Sequence, residues 1–159
     1  MVALVLAACS KNSKSSPQVG TFTFTTAGKV YNWSAVCDTG GVFDIIATGI
    51  YPGTADTAQL ILIISQTSAT DWAAKDLGVV PDTGYYNGQQ LYPSLFVNGV
   101  DYRDFSTTNA APSATYPCIL DITSNNGSIM GGTYSGMLYN QNSGGDSILM
   151  TNGVFSVQL

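Results

Sequence analysis

The sequence predicts an all-β fold: a single antiparallel β-sandwich of about nine strands with at most one short helix, and a β-barrel as the alternative. Three observations carry this expectation. Apolar and polar residues alternate with period two through much of the chain, as in Gly20-Thr-Phe-Thr-Phe-Thr25. Asn-Gly, the preferred pair for a type I′ hairpin turn, recurs at 87–88, 98–99, 126–127 and 152–153. Helical periodicity is nearly absent.

The elements follow in order. Phe22 and Phe24 share one face of the first strand, and Thr26-Ala-Gly28 turns the chain. Lys29 to Cys37 places Tyr31, Trp33, Ala35 and Cys37 on one face, with Asn32 and Ser34 on the other. Asp38-Thr-Gly-Gly41 is a turn, and Val42 to Ile50 turns Phe43, Ile45 and Ala47 inward. Ala58 to Ser65 holds a continuous aliphatic run, which reads as a central strand covered on both faces. Thr70 to Gly78 is the one helical candidate, with Thr70 as its cap and Gly78 as its stop. The next strands run from Gln89 to Val97 and around Val100-Asp-Tyr102. Ser106 to Pro117 reads as a longer loop. Cys118 to Ser124 turns Cys118, Leu120 and Ile122 to one face, and Ser128 to Tyr139 follows. Asp146 to Thr151 and Gly153 to Leu159 close the chain, with Asn152-Gly153 as a β-bulge and Phe155, Val157 and Leu159 inward.

Three regions make up the expected organisation. Residues 1–8 are the apolar part of a signal peptide, short at its own N-terminus because no Lys or Arg precedes it. Residues 9–18 are a lipidated cysteine and a polar, Ser-rich tether. Residues 19–159 form the β domain, long enough for a core of its own. The anchor is read from Leu6-Ala-Ala-Cys9, a large aliphatic residue, two small ones and a cysteine. Lipid transfer to the Cys9 thiol and cleavage before it would leave an acylated N-terminus. No stretch approaches the roughly 18 apolar residues of a membrane-spanning helix, so the expected membrane contact is through lipid.

Composition narrows the function classes. Only 9% of residues are charged, and the net charge is −5. Lys11 and Lys14 lie in the tether, leaving Lys29, Lys75 and Arg103 against ten acids, so a nucleic-acid partner is not expected. There is no His, and every acid is Asp. Ser-His-Asp and Cys-His catalysis are therefore excluded, as is a His- or Cys-based zinc site. No catalytic residue, metal site or cofactor is assigned. Calcium binding by Asp38 with Asp44, or Asp101 with Asp104, matches no EF-hand loop, and turn stabilisation is the commoner role of such residues.

Cys37 and Cys118 fall on core-facing strand positions. In an oxidising envelope they are candidates for a disulfide, whose loop of about 80 residues would contribute about 4 kcal/mol. Two buried thiols are the other reading. The candidate ligand-binding residues are Tyr85, Tyr86, Tyr92 and Tyr102 with Arg103, where sugar faces could stack on the aromatic rings. Cross-strand pairing is the ordinary role of such tyrosines.

Three segments make the chain similar to the small envelope lipoproteins of unknown function common in Bacteroidetes. They are Leu6-Ala-Ala-Cys-Ser-Lys11, Phe24-Thr-Thr-Ala-Gly-Lys-Val-Tyr-Asn-Trp33, and Gly132-Thr-Tyr-Ser-Gly-Met-Leu138 followed by Met150-Thr-Asn-Gly-Val-Phe155. The resemblance implies an envelope β-sandwich and supplies no catalytic residue. An acidic run after the lipidated cysteine, which often accompanies surface export in that group, is missing here, so periplasmic and surface facing both stay open. The expected function is thus a lipid-anchored, non-enzymatic envelope protein with a binding or accessory role, and a glycan or envelope protein as its partner. A glycan- or peptide-binding module built on the hairpin aromatics is one alternative. An Asp-dependent hydrolase is the other.

Overall fold

The computed structural model describes residues 18–38, 43–51, 53–55, 57–66, 78–81, 89–104, 113, 115–143 and 145–159. The expected signal peptide and Cys9 lie outside these residues, as do Tyr85, Tyr86, the Asn87-Gly88 turn and all of the expected helix except Gly78. Among the described residues there are ten strands and no helix. They are β1 (Thr21–Thr26), β2 (Lys29–Asp38), β3 (Phe43–Ile50), β4 (Thr57–Gln66), β5 (Gly78–Pro81), β6 (Gln89–Val97), β7 (Val100–Arg103), β8 (Ile119–Asn125), β9 (Ile129–Asn140) and β10 (Ser147–Gln158). Gly78, expected to stop the helix, instead opens β5.

The fold is all-β, and its architecture is the barrel rather than the sandwich. Strands pair antiparallel in the order β10-β1-β2-β3-β4-β6-β7-β9, and β9 returns to β10. The ring closes because the first and last strands pair, with Thr21 opposite Ser156 and Phe22 opposite Phe155. Closure removes the unpaired edges that a sandwich would have to protect. β9 is long enough to serve two neighbours on one side. It meets β7 through Tyr139 and Asn140, and β8 through residues 130–135. The short β5 continues from β8.

Local sequence explains the turns. Asn98 and Gly99 both have positive φ, at 50° and 76°, and join β6 to β7 in a two-residue hairpin with Val97 opposite Val100. Asn152, at φ 51°, sits in the expected bulge: the β9–β10 register slips between Met150 and Gly153.

Alternation puts the core inside the barrel. Phe22, Phe24, Trp33, Ile45, Leu60, Leu62, Leu95, Leu120, Tyr134 and Phe155 are buried there, each at 3% exposure or less. The rings interlock: Phe22 stacks on Phe155 with centroids 6.1 Å apart, and Phe24 meets Trp33 edge-on at 4.8 Å. Eight strands enclose an interior of about the width that side chains fill, and these residues fill it. β4 departs from expectation. Its inward residues Ala58, Leu60, Leu62 and Ile64 are buried, whereas Ile61 and Ile63 point outward and are half-buried. The aliphatic run is therefore fully covered on its inner face and only partly on its outer one.

The pairing defines two ends. Residues 18–20, the β8–β9 turn and Leu159 lie at one, here called the near end. The turns at 27–28 and 98–99, Tyr51 and the β9–β10 connection lie at the other, the far end.

Candidate functional site

The described members of the expected binding cluster fall on opposite sides of the barrel wall. Tyr92 and Phe96 point outward from β6, at 40% and 37% exposure, with Ser94 between them. Arg103 also points outward, opposite Ser94, and its Nε donates a 2.8 Å hydrogen bond to Asp101 Oδ2. Tyr102 points inward and is 8% exposed. Successive strand residues face opposite ways, so Tyr102 and Arg103 cannot share one platform. The outer face keeps two aromatic residues flanking an Arg–Asp pair, and it adjoins Ile61 and Ile63 through the β4–β6 register.

Tyr102 belongs to a second cluster at the far end. Its hydroxyl donates to Asp146 Oδ2 at 2.8 Å, and a side-chain hydrogen bond joins it to Asn140. Burial, followed by the bond to Asp146 and that residue's charge, pushes the phenol up to about 12. Asn140 is placed by its own turn. Its N–H donates to the Asp146 carbonyl at 2.9 Å, and its Oδ1 accepts from the N–H groups of Asn142 and Ser143 at 2.8 and 3.1 Å. Tyr51 follows β3 and is half-buried, with its carbonyl accepting from Thr54 N–H and Oγ1. Its side chain hydrogen-bonds Thr26 and lies near Tyr31, Tyr102 and Asp146; burial leads in pushing its phenol up. Tyr31 stacks on Phe24, with ring centroids 5.5 Å apart.

The far mouth of the barrel thus gathers three phenols, the Thr26 hydroxyl, the Asn140 amide and the Asp146 carboxylate above an apolar floor. Barrel mouths with a few converging polar groups over an apolar wall are a recurrent ligand-binding geometry. With their pKa values raised, Tyr51 and Tyr102 stay neutral at physiological pH, which suits hydrogen bonding rather than nucleophilic attack. Of this cluster, only Tyr102 was legible as a site residue from sequence. Tyr51 read as a loop residue and Asp146 as the start of a strand, and only the ring closure brings β1, β3, β7 and β9 together at one mouth.

Cys37 and Cys118 are free thiols in the structure. Cys37 lies on β2 opposite Ile45; burial first, then Asp38 and Asp44, raises its thiol to about 11. Cys118 precedes β8 and is buried; its Sγ contacts the Met137 carbonyl at 3.5 Å, and it receives the Tyr134 hydroxyl at 3.4 Å. β9, β10 and β1 stand between β8 and β2 in the sheet, so the two thiols lie in separate stretches of it.

Asp38 and Asp44 face each other across β2 and β3. Burial, then the Asp38 charge, pushes the Asp44 carboxyl up, and its Oδ1 is buried without a hydrogen-bond partner. Among the described residues, no three His, Cys, Asp or Glu side chains converge into a metal-binding group. Compared with known protein families, curated proteins and solved structures, the chain matches none of them.

Proposed function

We propose that this chain is a lipid-anchored cell-envelope protein with a non-enzymatic role, acting by binding through a rigid barrel. The observation that carries the reading is the polarity of the barrel. Gly20, joined to Ser156 by a 2.7 Å backbone hydrogen bond, marks the end at which the tether of residues 9–18 would enter. The mouth holding Tyr31, Tyr51, Tyr102 and Asp146 is at the other end. An anchor on Cys9 would leave that mouth facing away from the lipid. The Leu6-Ala-Ala-Cys9 pattern, the Ser-rich tether and the resemblance to small envelope lipoproteins support the anchor. Stable attachment takes more than one acyl chain on the cysteine.

The test is intact mass of the membrane fraction after expression of the gene in an envelope-lipoprotein-producing host. The expected species starts at Cys9 and carries acyl mass. A soluble, unacylated chain would refute the anchor.

A second reading is carried by the outer face of β6. Tyr92 and Phe96, exposed on either side of Ser94 and next to the Arg103–Asp101 pair, offer a flat platform for a glycan or peptide. Tyr92→Ala and Phe96→Ala would abolish binding there and leave the fold intact.

A further inference from the structure

The polar groups at the far mouth come from separate parts of the chain: Thr26 ends β1, Tyr31 lies on β2, Tyr51 follows β3, Tyr102 lies on β7, and Asn140 and Asp146 flank the β9–β10 turn. Thr26, Tyr102 and Asn140 are buried, at 4%, 8% and 8% exposure, whereas Tyr31 and Tyr51 are part-exposed and Asp146 is open to solvent. The cluster is therefore held firmly on its inner side and accessible on its outer side. Its chemistry is mixed: neutral hydroxyls, one amide and one carboxylate, beside aromatic faces that bury C–H groups well.

Several ligand classes fit this rim poorly. An anion would meet the Asp146 carboxylate; Lys29 lies opposite Thr26 in the β1–β2 pairing, and Arg103, next to Tyr102, is paired with Asp101. A hard divalent cation takes six or more oxygens and favours several carboxylates, and this rim offers one. A purely apolar ligand would take the solvent-open Asp146 carboxylate out of water with no group to pair its charge. A neutral sugar satisfies both halves: its hydroxyls pair with the Tyr, Asn and Asp side chains, and its C–H face lies on a ring.

We infer that the far mouth, formed by Thr26, Tyr31, Tyr51, Tyr102, Asn140 and Asp146, is a carbohydrate-binding site. This rests on the binding role proposed above and names its location and ligand class. Tyr102 and Asn140 act as the fixed inner wall, and Tyr51 and Asp146 supply the outer hydrogen bonds.

The test is amide chemical-shift mapping on the full-length chain. Neutral oligosaccharides of glucose, mannose, galactose, xylose and N-acetylglucosamine are added singly at millimolar concentration. Saturable shifts are expected at Asn98, Gly99, Asn140 and Gly145, and not at Ser94 or Arg103. Tyr51→Phe and Asp146→Asn, each with a native-like spectrum, should weaken binding about tenfold, the equivalent of one lost hydrogen bond. Tyr92→Ala should leave it unchanged. Shifts centred on Ser94 and Arg103 would overturn the mouth while leaving a binding role standing. No shift with any sugar would overturn the carbohydrate site, whatever the mass of the Cys9 species shows about the anchor.

Discussion

The Trp33 indole packs against Gly49, in space that a β-carbon at residue 49 would occupy. Its Nε1 donates to the carbonyl of the next residue, Ile50, at 3.2 Å. Glycine here lets β3 approach β2 closely enough for the indole to enter the core beside Phe24 and still satisfy its one polar group. Gly49→Ala drives a methyl into the ring and is expected to cost about 2–3 kcal/mol through overpacking and a strained hydrogen bond. Trp33→Phe in the Gly49→Ala background should recover part of that loss. Urea unfolding of the two single variants and the double variant measures the coupling, and strict additivity would refute the contact.

At the β1–β2 turn local chemistry opposes the fold. Ala27 has φ 47° and is followed by Gly28 at 72°, so an alanine occupies the first position of a type I′ turn. Left-handed backbone costs a non-glycine residue about 1–2 kcal/mol, and Asn tolerates it better. Ala27→Asn should therefore stabilise the barrel by about 0.5–1 kcal/mol. Ala27→Val should destabilise it. The midpoints of urea unfolding check both directions.

Asp44 opposes Asp38 across the sheet, and its carboxyl is pushed above the usual carboxylate range. A raised folded-state value means the group favours folding while protonated, below its unfolded value. That contribution disappears as pH rises through the folded value. Asp44→Asn is thus expected to match the parent at pH 3 and exceed it at pH 7 by roughly 0.5 kcal/mol, less in high salt. The same substitution removes one of the charges that hold the Cys37 thiol at about 11. It should accelerate alkylation of Cys37 at pH 8, whereas an unchanged rate would show that burial and Asp38, without Asp44, control the thiol.

Tyr102 ties β7 to the β9–β10 turn through Asp146. Tyr102→Phe should cost about 1 kcal/mol at neutral pH. The phenol is raised from 10.0 to about 12, so its stabilisation is complete below pH 10 and lost as pH climbs toward 12. The difference in stability between parent and Tyr102→Phe should narrow over that window. A difference independent of pH would mean that Tyr102 contributes packing only.

Much of the strand content was legible because it is local. The alternation of β1 and β10 buries Phe22, Phe24, Phe155 and Val157 as the period-two pattern requires. The Asn98-Gly99 turn and the Asn152 bulge follow from the tolerance of Asn and Gly for positive φ. β4 misled because five consecutive aliphatic residues, Leu60 to Ile64, mask an alternation that only the neighbouring strands expose. Tyr102 parts from Tyr92 and Arg103 for the opposite reason: adjacency along the chain suggested one cluster, yet neighbouring residues on a strand face opposite ways.

What the sequence determined by itself is the repertoire: antiparallel strands, hairpin turns, an apolar face on each strand, and no histidine chemistry. These follow from backbone preferences and side-chain spacing over a few residues. Only the tertiary structure decided that the sheet closes, because closure rests on Phe22 finding Phe155 across 133 positions of chain. No local pattern encodes that pairing; it follows from the accumulated twist and register of all the strands between. The far mouth is a product of the same closure, which sets Thr26, Tyr51, Tyr102 and Asp146 around one opening and Tyr92 outside it.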